Sequence, residues 1–145
     1  MLKVNFHDKI DNQKLKFAVI LSKTQGKWVF CKHKERTTYE APGGHREENE
    51  DILDTAKREL KEETGALEFD IEPICVYSVI GKTRVNETIG EESFGMLYFA
   101  NIYAFEEELH SEIEKIIISD VLPKEWTYPF IQPKLFEKAK EMGFK

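Results

Sequence analysis

Cysteine is scarce in this chain: there are two in 145 residues, Cys31 and Cys75, both in apolar, strand-like stretches and without metal-ligand spacing. Neither a disulfide framework nor a cysteine-based zinc site is therefore expected. Two buried free thiols, suited to a reducing compartment, are expected instead. Long apolar runs are missing too. Stretches such as residues 17–21 are far shorter than the roughly 20 residues that a bilayer-spanning helix needs. Residues 1–15 alternate charged with apolar side chains and contain no apolar leader core. No membrane partner and no signal peptide are expected, and a cytoplasmic location follows. Basic charge is in deficit, since 21 Lys and Arg against 27 Asp and Glu leave a net charge of −6. Long nucleic acids, whose binding relies on Lys and Arg displacing counterions, are poor partners for such a chain. Repeats, low-complexity tracts and linkers are also absent, so residues 1–145 read as one domain.

What is present is the composition of a folded domain, 41% hydrophobic and 33% charged, at a length that supports a core without staples. Residues 16–22 and 27–32 are β-branched and aromatic runs on either side of Thr24-Gln25-Gly26, which predicts a hairpin. Pro42-Gly43-Gly44 reads as a loop. From residue 51 to residue 64 the spacing turns helical, with Asp51 as N-cap, Asp54 three residues on and Gly65 placed to end the helix. Residues 71–80 and 94–105 predict two strands joined by a polar, glycine-containing connection. Residues 115–119 predict a shorter strand and residues 133–142 a closing helix ended by Gly143. Helices and strands alternating around a mixed sheet make this an α/β (α+β) domain.

The acidic excess is concentrated. Between Glu47 and Glu63 eight acidic residues stand against Lys57, Arg58 and Lys61, a local balance of −5. At about 100° per residue, Glu59, Glu62 and Glu63 share roughly a third of the helix circumference. Leu53, Ala56 and Leu60 form the adjoining apolar stripe that docks the helix. A solvated helix face is the ordinary meaning of such a charge run. Three carboxylates within one turn nevertheless repel one another unless a cation binds them. Hard divalent cations with oxygen ligands are the fitting occupants, Mg²⁺ above all where phosphates share the ion. Arg58 precedes Glu62 by four residues and reaches back towards Glu50, a position from which it can fix carboxylate rotamers. Gly43-Gly44 leaves room for a backbone carbonyl to approach the same ion.

Gly44, five residues, Glu50, seven residues, then Arg58-Glu59-Leu60-Lys61-Glu62-Glu63-Thr64-Gly65-Ala66 resembles the Nudix box at every charged and glycine position. Identities this specific coincide by chance in roughly one window in 10⁸. The resemblance implies an α/β/α sandwich in which residues 44–66 form a loop, a helix and a second loop. It implies Mg²⁺ or Mn²⁺ as cofactor, with Glu59, Glu62, Glu63 and the Gly43 carbonyl as ligands and Glu50–Arg58 as a supporting salt bridge. It also implies hydrolysis of a nucleoside-diphosphate-linked phosphoanhydride. The best match is a MutT-like (d)NTP pyrophosphohydrolase whose range extends to oxidised purine nucleotides. ADP-ribose or a dinucleoside polyphosphate is the alternative substrate. A nucleotide-binding regulator without catalysis is the alternative of a different class, but such domains commonly lose box glutamates and this chain keeps them. Ala66 and Ala41 stand where relatives carry larger apolar residues, and the second departure widens the expected pocket.

Relatives also use residues outside the box. Glu112 and Glu114, just before the strand at 115–119, are the candidates for a downstream general base, ahead of Glu91 and Glu92; Glu63 is the first alternative within the box. Lys32, His33, Lys34 and Arg36 form the basic cluster nearest the box, and Lys32 and His33 are expected to hold substrate phosphates. Trp126 and Tyr128 are expected to stack a base, although packing of the final helix is the commoner use of such aromatics. His7, His45 and His110 show no partner pattern. The expected partner is a small nucleotide, and the expected assembly a monomer or homodimer.

Overall fold

The hairpin turns at Gln25 and Gly26, which take φ of 50° and 79°, the left-handed conformation that lets a two-residue turn match the twist of its strands. It joins strands β2 (Leu15–Thr24) and β3 (Lys27–His33) in a computed structural model that describes residues 2–81, 91–109 and 112–144. Around the hairpin lie β1 (Lys3–His7), β4 (Gly43–His45), β5 (Ala66–Ile80), β6 (Glu92–Phe105) and β7 (Ile113–Ser119), with helices α1 (Ile52–Thr64) and α2 (Gln132–Glu141). The sheet order is β1-β5-β6-β2-β3-β7, with β4 also paired to β2. β2 and β6 run parallel, and the other pairs are antiparallel. β3 and β4 share one edge of β2, β3 alongside Ser22–Thr24 and β4 alongside Phe17–Val19. α1 touches both of them, and the candidate site forms where the three meet.

Strand alternation divides the core. Ala18 and Ile20 face α1, where Ile52, Ala56 and Leu60 are buried, whereas Phe17 and Leu21 face α2 with Leu135, Phe136 and Ala139. A helix on each face of one mixed sheet is the α/β/α sandwich that the box implied. Both cysteines are buried and free, as expected.

The departures have local causes. Gly43-Gly44 belongs to a strand, because the N-terminal half of β2 offers an unpaired edge that β3 does not reach. β5 begins at Ala66, straight after Gly65 turns the chain at φ 76°, and its first residues pair with the end of β6 although most are exposed. Backbone pairing, not apolar alternation, specifies that stretch. β1 was not foreseen, since its charged and half-buried residues carry a weak pattern. Asp51 stands at the N-cap position without a side-chain cap bond; Oδ1 instead accepts from the Asn12 amide at 3.4 Å. α2 starts one residue earlier than expected, at Gln132. Most of the connection expected between β5 and β6 (residues 82–90), and His110, lie outside the described residues.

Candidate active site

Burial of one face of α1 sets Glu59 and Glu63 against β4 and leaves the Glu62 side chain about half exposed, at 51%. Arg58 ties the N-terminal part of this edge together. Its Nε and Nη2 donate to the two Glu50 oxygens at 2.8 and 3.0 Å, and Nη1 donates to Glu59 at 2.6 Å. Nη2 also donates to the His45 carbonyl at 3.0 Å, and Glu62 lies 3.6 Å from Nη1. The paired contact to Glu50 is the planar fork that only a guanidinium provides. Glu50 accepts two further bonds, from the Thr55 hydroxyl at 2.7 Å and the Glu47 N–H at 3.1 Å. With Arg58 as the main cause, these contacts hold its carboxyl down at about 2.

Glu59 is in the opposite condition. Burial first, and then the charge of Glu63, push its carboxyl up to about 7 in spite of Arg58. A Cβ on Gly44 would stand 2.6 Å from both Glu59 oxygens, so the glycine is what leaves room for this carboxylate.

Glu63 is oriented from β3 and β4. Its Oε1 accepts the Gly43 N–H at 2.7 Å, its Oε2 lies 3.6 Å from His33 Nε2, and its backbone carbonyl accepts the Cys31 thiol at 3.3 Å. Cys31 and His33 are two apart on β3 and share a face. Opposite Cys31 the chain returns at Glu40, bonded to it in both directions at 2.8 and 3.0 Å. Glu40 is 5% exposed, lies 3.7 Å from His33 Nε2 and accepts from Arg36 Nη1 at 2.9 Å. Burial pushes the Glu40 carboxyl up, and the nearby Glu63 carboxylate raises His33. Glu40 was not foreseen: its link to the site runs through strand pairing, and no sequence spacing announces it.

A cavity of about 360 Å³ opens beside Glu63, Gly43 and Gly44. His33, Glu40, Tyr128 and Gln132 give it polar walls, and Phe17, Ala41, Tyr77 and Val79 line it among the apolar ones. Of the expected substrate residues, His33 and Tyr128 are therefore at the cavity. Lys32 and Trp126 are not among its lining residues. Lys32 neighbours His33 and so points from the other face of β3, where its Nζ pairs with Glu114 of β7 at 3.0 Å. Trp126 packs edge-on against Phe30, with centroids 5.8 Å apart, and against Phe136 at 5.6 Å, under α2. Glu114 is thus engaged by Lys32. Glu112 is exposed just ahead of β7, and its carbonyl accepts the Lys34 N–H at 2.9 Å beside the end of β3. Glu92 accepts from the Ser78 hydroxyl at 2.6 Å, on the β1 side of the sheet. Gly43 meets the carboxylate edge through its N–H, which donates to Glu63 at 2.7 Å.

Comparison with known proteins agrees with this geometry. The NUDIX domain family model matches residues 12–134. The chain belongs to the Nudix family. It is 29% identical to YtkD of Bacillus subtilis (strain 168), provisionally named an 8-oxo-dGTP diphosphatase, over 99% of this chain and 92% of that protein. The crystal structure of the Bacillus subtilis pyrophosphohydrolase BsRppH (E68A mutant) superposes with a TM-score of 0.77, at 26% identity, over 99% of this chain and 92% of that one. A NUDIX hydrolase from Nitrosomonas europaea shares the fold, with a TM-score of 0.68 at 18% identity over 88% of this chain and 90% of that one. The chain is thus a Nudix enzyme with pyrophosphohydrolase relatives.

Nudix hydrolases generally use divalent metal ions. Among the described residues no group of three His, Cys, Asp or Glu side chains is already gathered to ligate one, because Glu59 is turned to Arg58 and Glu63 to Gly43. The donor set nonetheless fits a hard cation. Three carboxylates line one edge of α1, Arg58 reaches two of them, Glu59 and Glu62, as well as Glu50, and burial together with the charge of Glu63 raises Glu59 to about 7.

Proposed function

We propose that this Nudix hydrolase is a (d)NTP pyrophosphohydrolase that uses Mg²⁺ or Mn²⁺, releases a nucleoside monophosphate and pyrophosphate, and extends to oxidised purine nucleotides. The observation that carries the reading is the cavity of about 360 Å³ opening directly onto Glu63 and the Gly43-Gly44 strand. Its size suits a nucleoside, and its position lets a bound nucleotide direct its phosphates along the carboxylate edge. The name of the Bacillus subtilis relative supports the oxidised purine as one substrate.

In this reading Glu59, Glu62 and Glu63 hold the cation, with the Gly43 carbonyl as a further donor. When bound, the cation neutralises phosphate charge and acidifies the attacking water. Arg58, anchored on Glu50, aims Glu59. His33 and Tyr128 hold the substrate at the cavity, while Lys32 and Trp126 serve the fold. Glu63, aimed by Gly43 and His33, is placed to take a proton from the attacking water, and Glu112 is the downstream candidate for the same role. Box carboxylates and their Arg58 anchor all stand in place, which favours catalysis over a purely regulatory nucleotide-binding domain. The reading also takes residues 1–145 as one domain, acting in the cytoplasm as a monomer or homodimer on a small nucleotide, with no long nucleic acid or membrane as partner. Among the described residues no helix is long and apolar enough to cross a membrane.

The test is a substrate panel of canonical and 8-oxo nucleoside triphosphates, ADP-ribose and dinucleoside polyphosphates, assayed with Mg²⁺, with Mn²⁺ and in EDTA. Nucleoside triphosphates should give the highest kcat/KM, with pyrophosphate as product and no turnover in EDTA. A tenfold preference for ADP-ribose or a dinucleoside polyphosphate would reassign the substrate, and full turnover in EDTA would remove the metal from the mechanism.

A further inference from the structure

One charged cluster beside the carboxylate edge is built differently from the rest. Arg36 and Glu40 form an ion pair whose side chains are 23% and 7% exposed. Such a pair contributes little to stability, because desolvation offsets most of its attraction. Its geometry, however, is directed. The Glu40 backbone is pinned opposite Cys31, and Glu40 Oε1 meets Arg36 Nη1 at 2.9 Å and His33 Nε2 at 3.7 Å. The same His33 nitrogen stands 3.6 Å from Glu63 Oε2, while Gly43 holds the other Glu63 oxygen at 2.7 Å. Tyr128 lines the same cavity, as do His33 and Glu40. A chain of close polar approaches therefore runs along the cavity wall from Arg36 through Glu40 and His33 to Glu63.

We infer that Glu40 is a positioning residue for the reaction: held by Arg36, it orients His33, and His33 in turn sets the rotamer of Glu63. The inference rests on the role proposed above for Glu63. Glu40 and His33 both line the cavity, so the wall proposed to contact substrate and the carboxylate that faces it share one support. A purely structural pair that only fastened the chain between β3 and β4 would act on stability, and its effect on rate would be independent of His33.

The experiment separates these two cases. Glu40→Gln keeps the side-chain length and removes the charge facing His33. It should lower kcat about tenfold to 100-fold, the usual scale for losing a partner that orients a ligand, with KM changed less than threefold. In a His33→Gln background the same substitution should have no further effect on kcat, because residues acting in series lose their effect only once. Arg36→Met/Glu40→Met replaces the pair by apolar side chains of similar reach. It should melt at or above the wild-type temperature and still show the kcat loss. A folded variant of either kind with kcat within twofold of wild type overturns the inference. So do effects of Glu40→Gln and His33→Gln that simply multiply, and so does loss of the fold in all of these variants, which would make the pair structural. Glu63→Gln is measured alongside. Wild-type kcat in that variant would mean that the parent reading of Glu63 has failed. Loss of activity there alone would mean that only the Glu40 inference has failed.

Discussion

Gly44→Ala separates the chemistry of the site from its contribution to the fold. Gly44 has no positive φ, so alanine fits its backbone, and a compatible Gly→Ala change stabilises by about 0.4–1 kcal/mol through the unfolded state. The new Cβ, 2.6 Å from both Glu59 oxygens, must displace that carboxylate. Displacement breaks the 2.6 Å bond to Arg58, a loss of about 1–2 kcal/mol after screening. It also returns the carboxylate to water, and here the sign depends on pH. Since Glu59 is raised from 4.5 to about 7 in the folded chain, folded protein retains a proton that unfolded protein has released within that window. The burial penalty is absent below pH 4.5, grows through the window and is complete above 7, where it reaches about 3 kcal/mol at most. Gly44→Ala should therefore leave Tm nearly unchanged at pH 5 and raise it by several degrees at pH 8, measured by thermal unfolding without divalent metal. In the same variant kcat should fall tenfold or more, because Glu59 no longer points along the carboxylate edge. Two results would refute the reasoning. One is a large drop in Tm at both pH values, which would mean that the carboxylate cannot move aside. The other is kcat within twofold of wild type, which would mean that its place does not matter.

Glu62→Gln and Glu63→Gln should each lower kcat by about two orders of magnitude or more without lowering Tm. Gln at 63 still accepts the Gly43 N–H, and Glu62 is half exposed; steady-state kinetics and melting curves check both. Arg58→Ala should lower kcat and Tm together, and its Tm deficit should fade as pH falls from 4.5 towards 2, the range in which Glu50 loses the advantage of its depressed carboxyl. A Tm deficit that persists unchanged at pH 2 would show that the Glu50 pair is not its source. The kcat–pH profile tests the downstream candidates: loss of the ascending limb in Glu112→Gln would move the base from Glu63 to Glu112, and Glu114→Gln should leave the limb intact, since Glu114 is held by Lys32. The reverse result would reassign the base, and two intact limbs would leave it with Glu63.

The parts of this site that were legible in the sequence are those set by one helix. Glu59, Glu62 and Glu63 share an edge because of the 3.6-residue repeat, and Glu50 was expected to meet Arg58, as it does at 2.8 and 3.0 Å. Residues brought in by the sheet were harder to place. Lys32 and His33 were grouped as one basic cluster, yet neighbours on a strand face opposite ways, so His33 reaches Glu63 while Lys32 reaches Glu114. The Cys31-x-His33 alternation carried that signal. Nothing comparable marked Glu40, whose partners Arg36, Cys31 and His33 meet it only after the chain has left β3 and come back. Trp126 illustrates the same limit, because an aromatic side chain packs a core or stacks a base with equal chemistry. Here the Trp126 ring packs on Phe30 and Phe136.

The contrast between Glu50 and Glu59 shows how one guanidinium divides the labour of this edge. Both carboxylates touch Arg58, yet one sits at about 2 and the other at about 7. Glu50 adds Thr55 and the Glu47 amide to the guanidinium, so its charge is fully answered by the protein and it serves as an anchor. Glu59 has Arg58 on one side, burial around it and Glu63 close enough to raise it further. Strong pairing of Arg58 with Glu50, in the loop ahead of α1, therefore leaves the helix carboxylate Glu59 less fully answered. That is the position where a divalent cation has most to gain by binding. Glu50 takes two nitrogens of Arg58 and leaves Nη1 for Glu59, so the residue that anchors the guanidinium also limits what it offers the carboxylates proposed to work with the metal.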